Sequence, residues 1–408
     1  MKRVLIVGGS TRAAAWSARR AGLQPICADL FADLDTRQIA EVVHVQNYPF
    51  SLPQDVAHIN ADGWFYTGGI ENHPDLVEQM DRLDAPYGPL LGTSATSLRL
   101  IRDPFWLNRT LAQGAIPTLR VLPGTAILPR DGTWIRKPIS SAGGRAVSVW
   151  EQSSPQFSES EPFFYQSRIH GVAHSAAFYN DDDGVEFLGV TQQLENAELS
   201  KVPDPFMYCG SIGPLQDARV EGFRLSLTAA AELLVSKCCL RGIFGIDFIS
   251  DSNGTPWILE VNPRYTASVE IIELAWQRSF LAGIQGPNRQ KQTSTTAPVL
   301  AKLILYARNF LVAPAFSESA DSQSEWELPT IADVPVPGTQ IDATWPICSV
   351  MAMGDTHEIC LQGLEDRAKN VRTRLQEHHV TCPPGDSNVG GNNLLRPEIA
   401  IAEDAPKI

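Results

Sequence analysis

Residues 241–270, RGIFGIDFISDSNGTPWILEVNPRYTASVE, decide how the rest of this 408-residue chain is read. Ile243-Phe244 and residues 246–249 form one apolar strand, Asp251-Ser252-Asn253-Gly254 a tight turn, and residues 257–261 the returning strand of a hairpin. Asp247 and Glu260 fall on opposite strands of that hairpin. Asn262 shares a face with Glu260 because strand side chains repeat every two residues, and Arg264 extends the alternation. Two carboxylates and an amide carbonyl are hard oxygen donors of the kind that hold Mg2+ while leaving positions open for phosphate oxygens. A guanidinium beside them can take up charge that develops on a transferred group. The alternative is a plain hairpin with solvated acids, ended by an Asn-Pro turn.

The Gly245-Ile246-Asp247-Phe248 strand followed by Ile258-Leu259-Glu260-Val261-Asn262-Pro263-Arg264 resembles the magnesium-binding end of the ATP-grasp superfamily. That resemblance implies Asp247, Glu260 and Asn262 as ligands of Mg2+ or Mn2+ bridging the phosphates of ATP. It also implies Arg264 as a catalytic contact to the transferred phosphoryl group or the intermediate. The implied fold class is α/β: a Rossmann-like N-terminal domain, an ATP-grasp domain of two α+β subdomains and a small C-terminal extension.

Composition permits this. Hydrophobic residues make up 43% of the chain and charged residues 19%, as in ordinary globular proteins. The formal net charge of -13 argues against nucleic acid or an anionic membrane as the main partner. The start, Met1-Lys2-Arg3 before a short apolar run, is too brief for a signal segment, and no apolar run approaches a membrane span. Seven cysteines without Cys-x-x-Cys spacing fit reduced thiols and a cytoplasmic location.

Residues 4–7, then Gly8-Gly9-Ser10-Thr11-Arg12 and an Ala-rich run to Ala21, are strand, glycine turn and helix, with a second strand at residues 25–29. The glycine turn lacks the third glycine of a dinucleotide fingerprint. Residues 63–67 form a strand leading into Gly68-Gly69-Ile70-Glu71-Asn72, at the strand end where open α/β sheets place ligands. Glu71 and Asn72 either face a substrate there or cap the next helix. The leading domain closes at residue 93, and the ATP-grasp domain is expected over residues 94–283, with its lid at about 115–170.

Residues 94–114 carry helical apolar spacing broken at Pro104. Relatives have a phosphate-binding lysine in this stretch, whereas this chain has Arg102-Asp103-Pro104. Either Arg102 or Arg109 substitutes, or the later loop acts alone. That loop is residues 140–145, Ser-Ser-Ala-Gly-Gly-Arg, between two strands, and its small residues let backbone N–H groups close over a triphosphate. The resemblance makes Lys137, just before the loop, a phosphate-binding and catalytic lysine. Ser141, Gly143, Gly144 and Arg145 join it in the nucleotide site. Residues 163–171 resemble the family's adenine-reading hinge, which implies Tyr165, Gln166, Ser167 and Ile169 as main-chain contacts, although the acids frequent at Ser167 and Ala173 are missing.

Residues 189–193 and 206–211 read as strands crossing the active-site face, with Gln192, Gln193, Tyr208 and Ser211 as second-substrate candidates, and a helix follows at 217–237. Residues 284–298 read as a mobile linker. A C-terminal subdomain at 299–377 follows, with a strand at 301–307, the turn Asp333-Val334-Pro335-Val336-Pro337-Gly338, a strand at 347–353 and a helix at 363–376. Residues 378–408 read as a disordered tail.

The function these features imply is an ATP-dependent carboxylate–amine ligase working through an acyl phosphate, with small-molecule acid and amine partners. Likeness of the 333–338 turn narrows this to a group, some members of which join glutamate to an amine in one-carbon coenzyme assembly (the tyramine-glutamate ligase-like group). Two alternatives stand: a bicarbonate-activating enzyme like biotin carboxylase, and an ATP-binding regulatory protein with reduced catalysis. Relatives often pair, so a homodimer is expected.

Overall fold

In a computed structural model, residues 2–82, 86–153, 162–195, 197–285, 296–316 and 324–381 are described. Most of the expected linker and of the expected tail lies outside them. The chain opens with β1 (Arg3–Gly8), α1 (Arg12–Arg20), β2 (Gln24–Asp29), α2 (Leu34–Arg37), β3 (Glu41–His44), α3 (Leu52–Asp55), β4 (Trp64–Tyr66), a 3-10 turn (Ile70–Asn72) and α4 (Pro74–Arg82). Its four strands form a parallel sheet in the order β3-β2-β1-β4. Val4, Leu5, Ile6 and Val7 are all buried, as expected of a parallel strand covered on both faces.

Next come α5 (Ala95–Ile101) and α6 (Pro104–Gln113), two helices rather than one bent one. Pro104 occupies the first turn of α6, where its missing N–H is harmless, and Asp103 caps the N–H groups of Phe105 and Trp106 at 2.8 and 3.2 Å. A separate antiparallel lid sheet follows, ordered β5-β8-β6-β7, from β5 (Val121–Pro123), β6 (Asp131–Pro138), β7 (Ser148–Glu151) and β8 (Phe163–Ser167).

The central sheet takes β9 (Val172–Asp181) and β10 (Gly184–Gln193) and, after the short α7 (Ala197–Ser200), β11 (Gly210–Gly213). Then come α8 (Arg219–Cys238), β12 (Gly242–Ser250), β13 (Pro256–Asn262) and α9 (Ala267–Trp276). The expected strand at 206–211 begins only at Gly210. The remaining elements are β14 (Val299–Tyr306), β15 (Leu311–Val312), β16 (Ile331–Ala332), β17 (Gln340–Ile341), β18 (Pro346–Gly354) and α10 (His357–Thr381). Strands β14, β18 and β16 complete one eight-stranded antiparallel sheet, β13-β12-β9-β10-β11-β14-β18-β16. The C-terminal strands thus continue the sheet that carries the acid hairpin.

Alternation along the strands divides this sheet into two faces. His174 and Phe248 point to the apolar side under α8, where Phe223, Leu227 and Leu234 are buried with them. Asp247 and Ser175, paired in register, point to the side of α9, where Ser175 bonds Ser268 at 3.3 Å. The first domain and the lid sheet enclose that polar face. Among the described residues no helix is long and apolar enough to cross a membrane.

Candidate active site

Strands β12 and β13 pair Asp247 with Glu260 and Gly245 with Asn262, so both acids and the amide share one face. The register skips Leu259, a bulge of the sort that re-aims side chains beside active sites. The Leu259 carbonyl accepts from Gln166 Nε2 of the lid at 3.3 Å, tying hairpin to lid. Asn262 Nδ2 stands between the acids, 2.8 Å from Asp247 Oδ2 and 3.3 Å from Glu260 Oε1.

Burial, and then the charge of Glu260, push the Asp247 carboxyl up. Burial also opposes ionisation of Glu260, but Lys137 and Arg102 outweigh it and hold that carboxyl below its usual range. Two carboxylates this close repel, and a divalent cation between them removes the repulsion. The donor set of Asp247, Glu260 and Asn262 therefore fits Mg2+ or Mn2+.

Arg264 does not continue the strand alternation. Pro263 cannot donate to the ladder, and the Arg264 N–H turns back to the Asn262 carbonyl at 2.8 Å, a three-residue turn that ends β13. Its guanidinium consequently reaches the first domain, donating from Nε to Glu71 Oε1 at 2.6 Å. The Gly68 backbone lies against the same guanidinium, where a Cβ would stand 3.6 Å from Cζ.

Lys137, near the end of β6, donates to Gln166 Oε1 at 3.3 Å and faces the hairpin acids. Of the two arginines weighed for the missing lysine, Arg102 reaches the site and Arg109 is exposed on α6. Arg102 Nη2 donates to Asn72 Oδ1 and to the Ser141 carbonyl, both at 2.9 Å. Asn72 also donates to that carbonyl at 3.2 Å, so Glu71 and Asn72 face the cleft and leave helix capping aside. Nothing in their sequence neighbourhood names these partners.

The glycine loop is docked at several points. Ser141 Oγ donates to the Arg145 carbonyl at 3.1 Å, and the Gly143 carbonyl accepts from the Tyr208 N–H at 2.8 Å. The Ala146 N–H meets Asp204 Oδ2 at 3.3 Å. Gly143 and Gly144 hold φ of 63° and 77°, in the left-handed region, and a Cβ on Gly144 would lie 2.0 Å from the Phe206 carbonyl. The loop is thus held between residues 204–208 on one side and Arg102 with Asn72 on the other.

The hinge differs in detail from its expected reading. Strand β8 lies between β5 and β6, so the main chains of Tyr165, Gln166 and Ser167 are engaged in the ladder. Ile169, beyond the strand end, is the member of that set outside the ladder. The Gln166 side chain still belongs to the site through Lys137 and Leu259. Of the second-substrate candidates, Tyr208 and Ser211 bond each other at 2.9 Å, and Ser211 pairs in register with Gln193. Gln192 pairs with His174 and so belongs to the opposite face from Asp247.

Residues 107–268, which contain Lys137, the glycine loop, the hinge and the acid hairpin, match the family model for the ATP-grasp domain. No curated protein matches the chain. Solved structures similar in fold include N5-carboxyaminoimidazole ribonucleotide synthetase from Thermotoga maritima, at 15% identity and a TM-score of 0.61, covering 90% of this chain and 98% of that one. L-amino acid ligase from Bacillus licheniformis is similar at 14% identity and a TM-score of 0.64, over 90% and 97% of the two chains. Biotin carboxylase from Campylobacter jejuni is similar at 12% identity and a TM-score of 0.64, over 91% and 95%. With the hairpin, lid and leading parallel sheet in place, residues 107–268 match an ATP-grasp domain, set in a chain whose fold resembles those enzymes over about nine-tenths of its length.

Proposed function

We propose that this protein is an ATP-dependent ligase that joins a small-molecule carboxylate to an amine through an acyl phosphate. The observation that carries the reading is the convergence of Asp247, Glu260 and Asn262 with Lys137, Arg102 and Arg264 in one cleft under a glycine loop. Lys137, Arg102 and the loop N–H groups would position the triphosphate. Bound Mg2+ or Mn2+, held by Asp247, Glu260 and Asn262, supplies charge neutralisation at the phosphates. A carboxylate oxygen of the substrate attacks the γ phosphorus and ADP leaves. The amine nitrogen then attacks the acyl carbon, forming the C–N bond as the carbon–oxygen bond to phosphate breaks. Arg264 would hold the negative charge on the carbonyl oxygen during that step.

Support for ATP comes from the domain family and from a similar fold solved as an ADP complex. The six described cysteines form no disulfide with one another, in keeping with a cytoplasmic enzyme. Glutamate as the acid rests on the 333–338 turn alone, and Asp333 there is engaged by Arg12 and Lys302 in the interior.

The test is ADP release from MgATP with pools of L-amino acids, other carboxylates and simple amines. Glu260→Ala is expected to lower the substrate-dependent rate by about two to three decades, and unchanged turnover would discard the mechanism. Bicarbonate-dependent ADP release with no amine present would favour the biotin-carboxylase-like alternative, and nucleotide binding without turnover in any pool the regulatory one.

A further inference from the structure

Glu71 is brought to the cleft by the 3-10 turn after β4, at the strand end where open α/β sheets receive ligands. Its residue is 1% exposed, and one carboxylate oxygen, Oε1, accepts from Arg264 at 2.6 Å. The other, Oε2, is buried with no hydrogen-bond partner in the protein, and it is the only carboxylate oxygen so placed among the described residues. Nearby hydroxyls do not serve it: Tyr48 donates to the Gly68 carbonyl at 3.3 Å and Tyr66 to the Thr93 carbonyl at 2.7 Å. A buried anion half satisfied in this way is costly, and such groups in folded proteins usually have a ligand or a task.

We infer that Glu71 Oε2 receives the ammonium group of the incoming amine substrate, takes up the proton that this nitrogen must lose before it can attack, and so sets the free amine beside Arg264. This rests on the ligase reading above. The same carboxyl group holds the guanidinium assigned to the carbonyl oxygen, so a nitrogen bonded to Oε2 is kept close to the acyl carbon that it must attack. Asn72, the next residue, bonds the Ser141 carbonyl at 3.2 Å, so the turn that carries Glu71 lies against the docked glycine loop. An ammonium is the donor that matches a buried carboxylate best, since it supplies both the hydrogen bond and the charge.

The experiment compares wild type with Glu71→Gln and Glu71→Asp, supplied with MgATP and the L-amino acid pool as carboxylate. The nucleophile is either hydroxylamine, which is largely uncharged at neutral pH, or the ammonium-bearing L-amino acids and methylamine. Glu71→Gln is expected to lower hydroxamate formation by up to about tenfold through its weaker hold on Arg264, while kcat/KM for the charged amines falls by at least about 100-fold, chiefly through KM. Glu71→Asp, which keeps the charge, should recover part of that loss. Parallel loss of both activities would show that Glu71 acts only by holding Arg264, and unchanged amine kinetics would show a structural carboxylate only. Either result overturns the inference. If wild type itself forms neither product nor hydroxamate, the ligase reading falls, and this assignment with it.

Discussion

At the scale of single residues the site is an arrangement of charges half withdrawn from water. Arg264 shares its charge among Glu71, Asp247 and Glu260, and burial leaves each of these dependent on the others. On the far face of the same sheet, His174 shows the opposite situation. It stacks on Phe248 at 5.1 Å, contacts Ser250 at 3.0 Å, and is held down to about 4, by burial first and then by the charge of Arg219. Its ordinary value is 6.5, so below that pH the unfolded chain takes up a proton that the folded chain refuses. The stabilisation is complete above pH 6.5 and is lost as pH falls to about 4, on the order of 3 kcal/mol in all. Asp35, pushed up to about 6 mainly by burial, has the opposite sign over an overlapping window, so the effect must be read as a difference. Urea unfolding of His174→Gln beside wild type at pH 6.5 and pH 4 should show the variant losing markedly less stability. Equal losses would mean that His174 titrates normally.

At the scale of elements, the glycine loop is where local conformation and docking meet. Gly143 and Gly144 both have positive φ, yet a Cβ on Gly143 meets nothing within 4 Å while one on Gly144 collides with the Phe206 carbonyl. Gly143→Ala should therefore cost only the backbone strain, about 1 kcal/mol, whereas Gly144→Ala should also push the loop off residues 204–208. The expected readout is an ATP KM close to wild type for Gly143→Ala and at least about tenfold higher for Gly144→Ala, the tenfold corresponding to 1.4 kcal/mol. Similar KM values for the two variants would show that docking on Phe206 does not hold the loop for nucleotide. The order of strand, loop and strand is legible in residues 134–149. Its contact with residues 204–208 is not, because the strand read from residue 206 begins only at Gly210 and the segment before it is placed by the sheet that follows.

At the scale of the whole molecule, the leading domain is fastened to the ATP-grasp sheet by buried ion pairs. Arg12 at the start of α1 lies 2.6 Å from Glu270 and 2.7 Å from Asp333, and Lys302 of β14 lies 2.9 Å from Asp333 and 3.1 Å from Glu270. Asp35 accepts from the N–H groups of Asp333 and Val334, both at 3.0 Å, and Glu273 of α9 holds Arg20 at 2.9 Å. Five separate stretches of chain meet there, and the junction ties the domain that carries Glu71 to the sheet that carries Arg264. Removing one member of a buried network strands the others, so Arg12→Ala should destabilise the protein by about 3–5 kcal/mol. Chemical denaturation would measure it, and a loss under about 1 kcal/mol would show the network to be solvated.

The acid hairpin, the glycine loop, the leading parallel sheet and the likeness of residues 107–268 to an ATP-grasp domain were all legible along the chain. These follow from period-two alternation and turn residues, which neighbours along the chain encode. Long-range packing was needed to bring Arg102 and not Arg109 into the site, to turn Arg264 out of its strand toward Glu71, and to set the 333–338 turn against Arg12 and Lys302. The reason is physical: a charge forced out of water is satisfied by whichever opposite charge the packed domains bring within reach. Glu71 and Arg264, 193 residues apart, carry no mark of each other until the two domains close.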